Sequence, residues 1–293
     1  MATLRELKGR IGSVASSEKI TGAMKMISSA KMHKAESSLR RLQPYRSNIE
    51  TIIANLLSSD ATFSSPLCQV RPVEHATIVV LGSDDGLCGA YNANIAKFLM
   101  NRIVELRNTH GENLRITIIP VGKKMAKAVR FLSDDTTIVA HAEVNSKSDG
   151  QQVKDFQNTL INEFLTGATD SIDIVYMHFR SVARQTPVAD RILPLSPQVL
   201  AGENVKPSVK PYLFEPSAQE IFDSAIPMYI LSLVQEVFVE NRASEQAARI
   251  MAMQSANDNA KKLLDQLRLE YNKLRQQSIT TELLDIVGGQ VRD

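Results

Sequence analysis

From Met228 to Val287 the chain carries neither Gly nor Pro. Those two residues disfavour helix interiors most strongly, and the stretch ends at Gly288-Gly289, a common helix stop. At 1.5 Å per residue, a continuous helix here is roughly 90 Å long. A globular domain has no room for such an element, so it must leave its own domain and meet something else. Its seam is legible. Steps of seven from Ala243 give Ile250, Asn257, Leu264, Tyr271 and Ser278, and steps of seven from Gln246 give Met253, Ala260, Leu267, Leu274 and Thr281. The two series, alternating by four and three, form one coiled-coil stripe. Leu and Ile fill only part of it. Small and polar residues fill the rest, which permits close approach and fixes register at a cost in stability.

The other end of the chain predicts a partner for this helix. Residues 1–58 show apolar positions at Leu4, Leu7, Ile11 and Val14, then Ile20, Met24 and Ile27, then Leu39, Leu42, Ile49, Ile52, Ile53 and Leu56. Gly9, Gly12 and Gly22 are read as points of close helix approach, and Pro44 as a kink or break. Up to Arg41 this segment has nine Lys or Arg against three Glu. That is a basic face open either to solvent or to an acidic partner. Nucleic acid is a poor fit, because no aromatic side chains interleave with the charges.

Between the long helices the period changes. After a linker at 59–72, His75 to Leu81 is a β-branched run that suits a buried strand. Strands are also predicted at 114–121, 136–140, 172–179 and 188–195, with helices at 95–106, 123–132 and 153–165. Strands alternating with helices indicate a three-layer α/β domain with a largely parallel sheet. Residues 196–217 carry Pro197, Pro207, Pro211 and Pro216 and read as a loop. The predicted fold class is therefore α/β: a long antiparallel coiled coil of the N- and C-terminal helices plus a three-layer, Rossmann-like α/β domain. The divisions are 1–58 (coil helix), 73–215 (α/β domain) and 216–293 (coil helix).

Chemistry is harder to find. The turn after the first strand, GSDDGLCGAYNAN, stands where a phosphate loop stands in a dinucleotide-binding fold. Its glycines, Gly82, Gly86 and Gly89, are spaced GxxxGxxG rather than GxGxxG, and Asp84 and Asp85 would repel a pyrophosphate. No GxxxxGK[ST] run exists. The five histidines are scattered, and Cys68 and Cys88 match no metal spacing and no disulfide framework. Cys88 reads as a packed thiol. No cofactor and no metal are expected. Net charge is +2 and no apolar run reaches eighteen residues, so neither an anionic partner for the whole surface nor a membrane span is indicated. Two rival classes remain on residues alone. A nucleotide-binding enzyme with a coiled-coil arm would need a phosphate loop. A coiled-coil adaptor would need a stronger Leu/Ile seam and self-association.

Three stretches carry a resemblance. IGSVASSEKITGAMKMISSAKMHKA (11–35), SDDGLCGAYNANI (83–95) and ENRASEQAARIMAMQSANDNA (240–260), the last continuing into YNKLRQQSITTELLDIVGG, resemble the gamma subunit of F-type ATP synthases in the same order. The chain departs from the family pattern in reading SSEKIT, where an Asn-rich turn is usual. It also lacks a Cys-bearing insert at 190–215, so thiol control is not expected.

This resemblance implies a non-catalytic central rotor shaft. The terminal helices would form a coiled coil inside a ring of three α and three β subunits. The α/β domain would sit outside it with epsilon on the c-ring, with membrane contact only through Fo. It implies a place on the cytoplasmic side of a bacterial plasma membrane, or the matrix side of a mitochondrial inner membrane. Arg10, Lys19 and Lys25 would meet the acidic lever of the β subunits, with Met24 beside it and Asp84, Asp85 and Cys88 of the turn nearby. Arg275, Gln276 and Thr280 would hydrogen-bond the β loops that grip the shaft. Ile279, Leu283, Leu284, Ile286 and Val287 would form an apolar tip running in an apolar sleeve beyond the end of the N-terminal helix. Tyr212, Phe214 and Glu215 would form the foot on the c-ring and epsilon.

Overall fold

The computed structural model of the chain describes residues 3–58, 63–132, 136–141, 143–196 and 214–290, the side chains of 285–290 excepted. Two helices dominate it. Helix α1 spans Leu4–Leu57 and helix α5 spans Ala218–Gln290, which at 1.5 Å per residue are about 80 and 110 Å long. Helix α1 opens on a reciprocal capping box. The Glu6 N–H donates to Thr3 Oγ1 and the Thr3 N–H donates to Glu6 Oε2, which satisfies two of the first turn's free donors. The signature, Thr followed three residues later by Glu, is present in the sequence.

Three expectations for these helices are corrected. Pro44 does not break α1, which continues through it. Pro44 is exposed, on the side away from the packed stripe. Gly9 and Gly12 face open space, and of the three glycines only Gly22 makes a close approach, 3.4 Å from Asn257 Nδ2 for a built Cβ. Gly288 and Gly289 do not stop α5, which runs to Gln290. Gly lowers helix propensity by about 1 kcal/mol per residue, too little to fix an end without a capping geometry.

The body between the helices is one five-stranded sheet in the order β3-β2-β1-β4-β5. Strands β1 (His75–Leu81), β2 (Arg115–Val121), β3 (Thr137–Ile138) and β4 (Ser171–Ser181) run parallel to their neighbours, and β5 (Arg184–Leu193) pairs antiparallel on the β4 edge. The period-two alternation assigns each face. Ala76, Ile78, Val80, Ile116 and Ile118 point to a core made with α2 (Tyr91–His110) and α3 (Lys123–Ala128). Val79, Leu81, Ile119, Ile172 and Ile174 point to the other. That second core is closed by α4 (Gly150–Leu165), the last turns of α1 through Ile49, Ile53 and Leu56, and α5 from Phe222 to Phe238. The three layers are therefore α2 with α3, the sheet, and α4 with the base of the coil.

A window of α5 has mean hydropathy 1.3, enough by length and composition to resemble a membrane span, but half of that window is buried inside the protein. Its apolar character is explained by the sheet it covers.

Candidate functional site

The register of the coil locates its surfaces. Ala35 packs with Ala243, Met32 packs with Ala247 and Ile250, and Asn257 Nδ2 donates to the Glu18 carbonyl at 2.7 Å. The helices are thus antiparallel, and extending this register brings Leu4 opposite Leu274. The seam follows the heptads. Met253, Leu264 and Leu267 are buried, Asn257, Ala260, Tyr271, Leu274 and Ser278 are half-buried, and Thr281 is exposed. Past Leu274, among the described residues, helix α5 has no helix beside it. Arg275, Gln276 and Thr280 are exposed, as are Ile279, Leu283 and Leu284, the last at 66%. Ile286 and Val287 lie on the same helix, but their side chains are outside the described residues, and so is Tyr212.

On α1, Arg10 and Lys19 are exposed while Met24 and Lys25 are half-buried at the edge of the seam. None of the three cations is in a salt bridge among the described residues. Ile20 and Ile27, read from sequence as part of the packed face, instead point outward at 58% and 55% exposure. The packed stripe passes through Thr21, Gly22, Ser28, Met32 and Ala35. Ile20 and Ile27 form exposed apolar positions beside it that the sequence reading assigned to the coil.

The turn after β1 is held by its neighbours. Asp84 accepts from the Lys123 N–H at 2.9 Å, and from the Ser146 N–H at 3.0 Å and its hydroxyl at 2.7 Å, so both its oxygens are engaged internally. Cys88 is buried, with Sγ 3.7 Å from both Ser83 Oγ and Asn92 Nδ2. The outward members of the turn are Asp85, Leu87 and Gly89. Leu87 stands at φ 64°, a left-handed conformation unusual for a non-glycine residue, with an apolar side chain in solvent. The sequence reading passed over it. Lys147 donates to Asp85 at 3.0 Å and holds its carboxyl below the usual carboxylate range.

Phosphate loops present N–H groups; this turn presents carbonyls to a cation. The guanidinium of Arg249 on α5 donates to the Asp85 and Gly86 carbonyl oxygens, each at 3.2 Å, and to Glu245 at 2.7 Å. Both side chains are buried. Burial pushes the Glu245 carboxyl upward, and the Arg249 charge opposes that. Nearby, Asn241 is buried among Tyr91, Gly82 and Met177. Burial also raises the Tyr91 hydroxyl well above its ordinary value. Neither Arg249 nor Asn241 was singled out from sequence, although both lie in the 240–260 stretch and charged residues are seldom fully buried unless paired.

Phe214 is half-buried against the core beneath the sheet, next to the exposed Glu215. No cluster of three or more His, Cys, Asp or Glu that could hold a metal occurs among the described residues. The described site residues thus fall in separate places: the exposed end of α5, the basic strip of α1, the turn after β1, and Phe214 with Glu215 before α5.

A protein-family model described as ATP synthase matches residues 3–291. The ATP synthase gamma chain of Bacteroides thetaiotaomicron is 38% identical over 301 residues, covering 100% of both chains. This chain belongs to the ATP synthase gamma chain family. The gamma chain of Bacteroides fragilis is likewise 38% identical, over 99% of this chain and 100% of its own. Among solved structures, a chain in the OSCP/F1/c-ring of the Euglena gracilis mitochondrial ATP synthase superposes with a TM-score of 0.66 over 98% of this chain and 93% of its own. At 22% identity that likeness shows a shared fold.

Proposed function

We propose that this chain is the central rotor stalk of an F-type ATP synthase, coupling ion-driven rotation of a c-ring to ATP synthesis and hydrolysis on the β subunits of an α3β3 ring. The observation that carries the reading is the asymmetry of α5: sheathed by the body at one end, paired with α1 in the middle, and alone from Arg275 onward. A shaft that drives chemically alike sites into different states must present a different face to each, since only differential contact moves a conformational equilibrium. One helix ending beside another provides that asymmetry.

The chain divides functionally into the coil helices 1–58 and 216–293 and a body at 73–215. The body rests with epsilon on the c-ring through the segment around Phe214 and Glu215. Arg10, Lys19 and Lys25 face the acidic lever of β, together with Met24, and with Asp85 and Leu87 of the turn. Asp84 and Cys88 hold that turn in shape from within. Arg275, Gln276 and Thr280 bond the β loops around the shaft, and the apolar tip runs with few directional bonds in its bearing. ATP chemistry belongs to β, and this chain contributes no catalytic group. It sits at the membrane through Fo only, on the cytoplasmic side in a bacterium and the matrix side in a mitochondrion.

Mixing the chain with α and β subunits tests the reading. One copy joins six others, and ATPase activity drives its rotation. A chain that stays apart from α3β3, or that self-associates instead, contradicts it. Equilibrium dialysis of the isolated chain with ATP and with a nicotinamide dinucleotide addresses the enzyme alternative, and retention of either ligand would favour it.

A further inference from the structure

Torque has to pass between the body and α5, and the two kinds of contact between them differ in what they resist. From Phe222 to Phe238 the contact is mainly apolar, with one polar contact where Gln157 Nε2 donates to the Pro227 carbonyl oxygen at 3.4 Å. Apolar contact is strong but non-directional, so it opposes separation more than rotation. One turn further on, the contact becomes polar. The β1 pairing with β4 stops at Val80 opposite Val175. Beyond that point β4 runs on without β1 alongside, and two adjacent α5 side chains accept its N–H groups. The Met177 N–H donates to Asn241 Oδ1 at 3.2 Å and the Phe179 N–H donates to Glu240 Oε1 at 3.1 Å. Helix α5 thus continues the ladder of the sheet with side chains, satisfying strand donors that would otherwise be buried and unpaired.

Asn241 does more than this. It is 2% exposed. Its Oδ1 also accepts the Tyr91 hydroxyl at 2.7 Å, and its Nδ2 donates to the Gly82 carbonyl oxygen at 3.3 Å. The same tyrosine oxygen lies 3.0 Å from the Asn241 carbonyl oxygen. One side chain therefore joins α5 to the end of β1, the start of α2 and the free edge of β4. Gly82 and Tyr91 bracket the SDDGLCG turn, whose Asp85 and Gly86 carbonyls Arg249 holds two turns along the same helix. Any rotation of α5 within the body, or any slip along its axis, breaks all the Asn241 bonds together. An amide carries out this role with no net charge to bury, and both its ends are used.

We propose, resting on the rotor reading above, that Asn241 is the positioning residue that fixes the rotational register of the body on the shaft, so that turning of the body is delivered to the coil without slip. It touches no nucleotide and no transported ion, and it acts through Gly82, Tyr91 and Met177.

The test uses the complete ATP synthase reconstituted in sealed vesicles, comparing ATP-driven ion transport, followed with a voltage-sensitive dye, with ATP hydrolysis. Asn241→Ala is expected to keep hydrolysis and lower transport per ATP about two- to thirtyfold, the factor that corresponds to coupling changes along such networks. Asn241→Asp keeps the two accepted bonds but turns a buried carboxylate towards the Gly82 carbonyl oxygen, so its ratio should fall as well. Tyr91→Phe removes one bond and should fall between Asn241→Ala and wild type. Val237→Ala, in the apolar contact one turn earlier, is the structural control: its thermal midpoint falls while the ratio holds. A transport ratio in Asn241→Ala no lower than in Val237→Ala overturns the proposal. If Asn241→Ala does not assemble, Asn241→Asp and Tyr91→Phe carry the test, and unchanged ratios in both overturn it. A wild-type chain that assembles without coupling overturns the rotor reading itself, and this inference with it.

Discussion

The two ends of helix α5 share one backbone and one absence of strong breakers between Met228 and Val287, yet they behave as different materials. Near the body, Asn241, Glu245, Gln246 and Arg249 are buried, although all are polar. At the tip, Ile279, Leu283 and Leu284 are exposed, although all are apolar. This inverts the usual distribution, and both inversions have a reason. Buried polar groups are costly unless satisfied, and once satisfied they fix one geometry. Exposed apolar groups fix nothing until a partner covers them, and then they bind without directional preference. The base is thereby welded to the body, while the tip is open to a partner.

The sharpest way to break the comparison is to cut the weld. Arg249→Met leaves Glu245 buried without its cation, which costs about 3–5 kcal/mol. The expected result is a large fall in the denaturation midpoint of the isolated chain, whereas Arg275→Ala at the exposed end should stay within about 0.5 kcal/mol of wild type. Similar losses in the two variants would mean that the ends do not differ as described.

The same pair predicts a pH dependence. The folded Glu245 carboxyl is raised above its ordinary value by burial, against the pull of Arg249, with Asp84 and Asp85 also pushing it up. A raised carboxyl contributes stability that is present below the unfolded value and lost as pH rises through the folded one. The midpoint of wild type relative to Glu245→Gln should therefore rise as pH falls from neutrality towards the usual carboxylate range. A constant difference would show that this burial does not govern the titration.

At the tip the effects move from stability to function. Truncation after Thr280 should leave the unfolding midpoint unchanged and weaken ATP-driven rotation without abolishing it, since the stiff coil remains. Failure to join α3β3 after that truncation alone would contradict this. The smallest effect separates two arginines on one helix. Arg275→Ala should lose more ATPase coupling than Arg268→Ala, whose side chain is exposed beside Asp265 at 3.8 Å within the coiled stretch. Equal losses would remove Arg275 from the gripping set.

Periodicity made much of this fold legible. The heptads from Ala243 to Ser278 coincide with the buried stripe, and the β-branched run at His75 to Leu81 is a strand as read. Composition could not reveal which small residues lie in the seam. Gly22 approaches Asn257 while Gly9 and Gly12 face solvent, and a glycine looks the same in both settings until the partner's register is known. Ile20 and Ile27 misled for the same reason: an apolar residue on a shaft can face the coil or a partner outside it. The body joint was the least legible part. Nothing local in the sequence marks Asn241 and Arg249, because the strand ends and turn carbonyls that satisfy them lie some 60 to 165 positions away. Sequence-local signals reported the elements, and the contacts that fasten them are long-range.

The most direct test of the whole account is single-molecule rotation. α3β3 is anchored to a surface and a probe is carried on the exposed face of α4 through Lys154→Cys. With ATP, the account predicts stepwise turning of the probe in one direction, with three pauses per revolution. A ring that binds the chain and hydrolyses ATP while the probe stays still would contradict it.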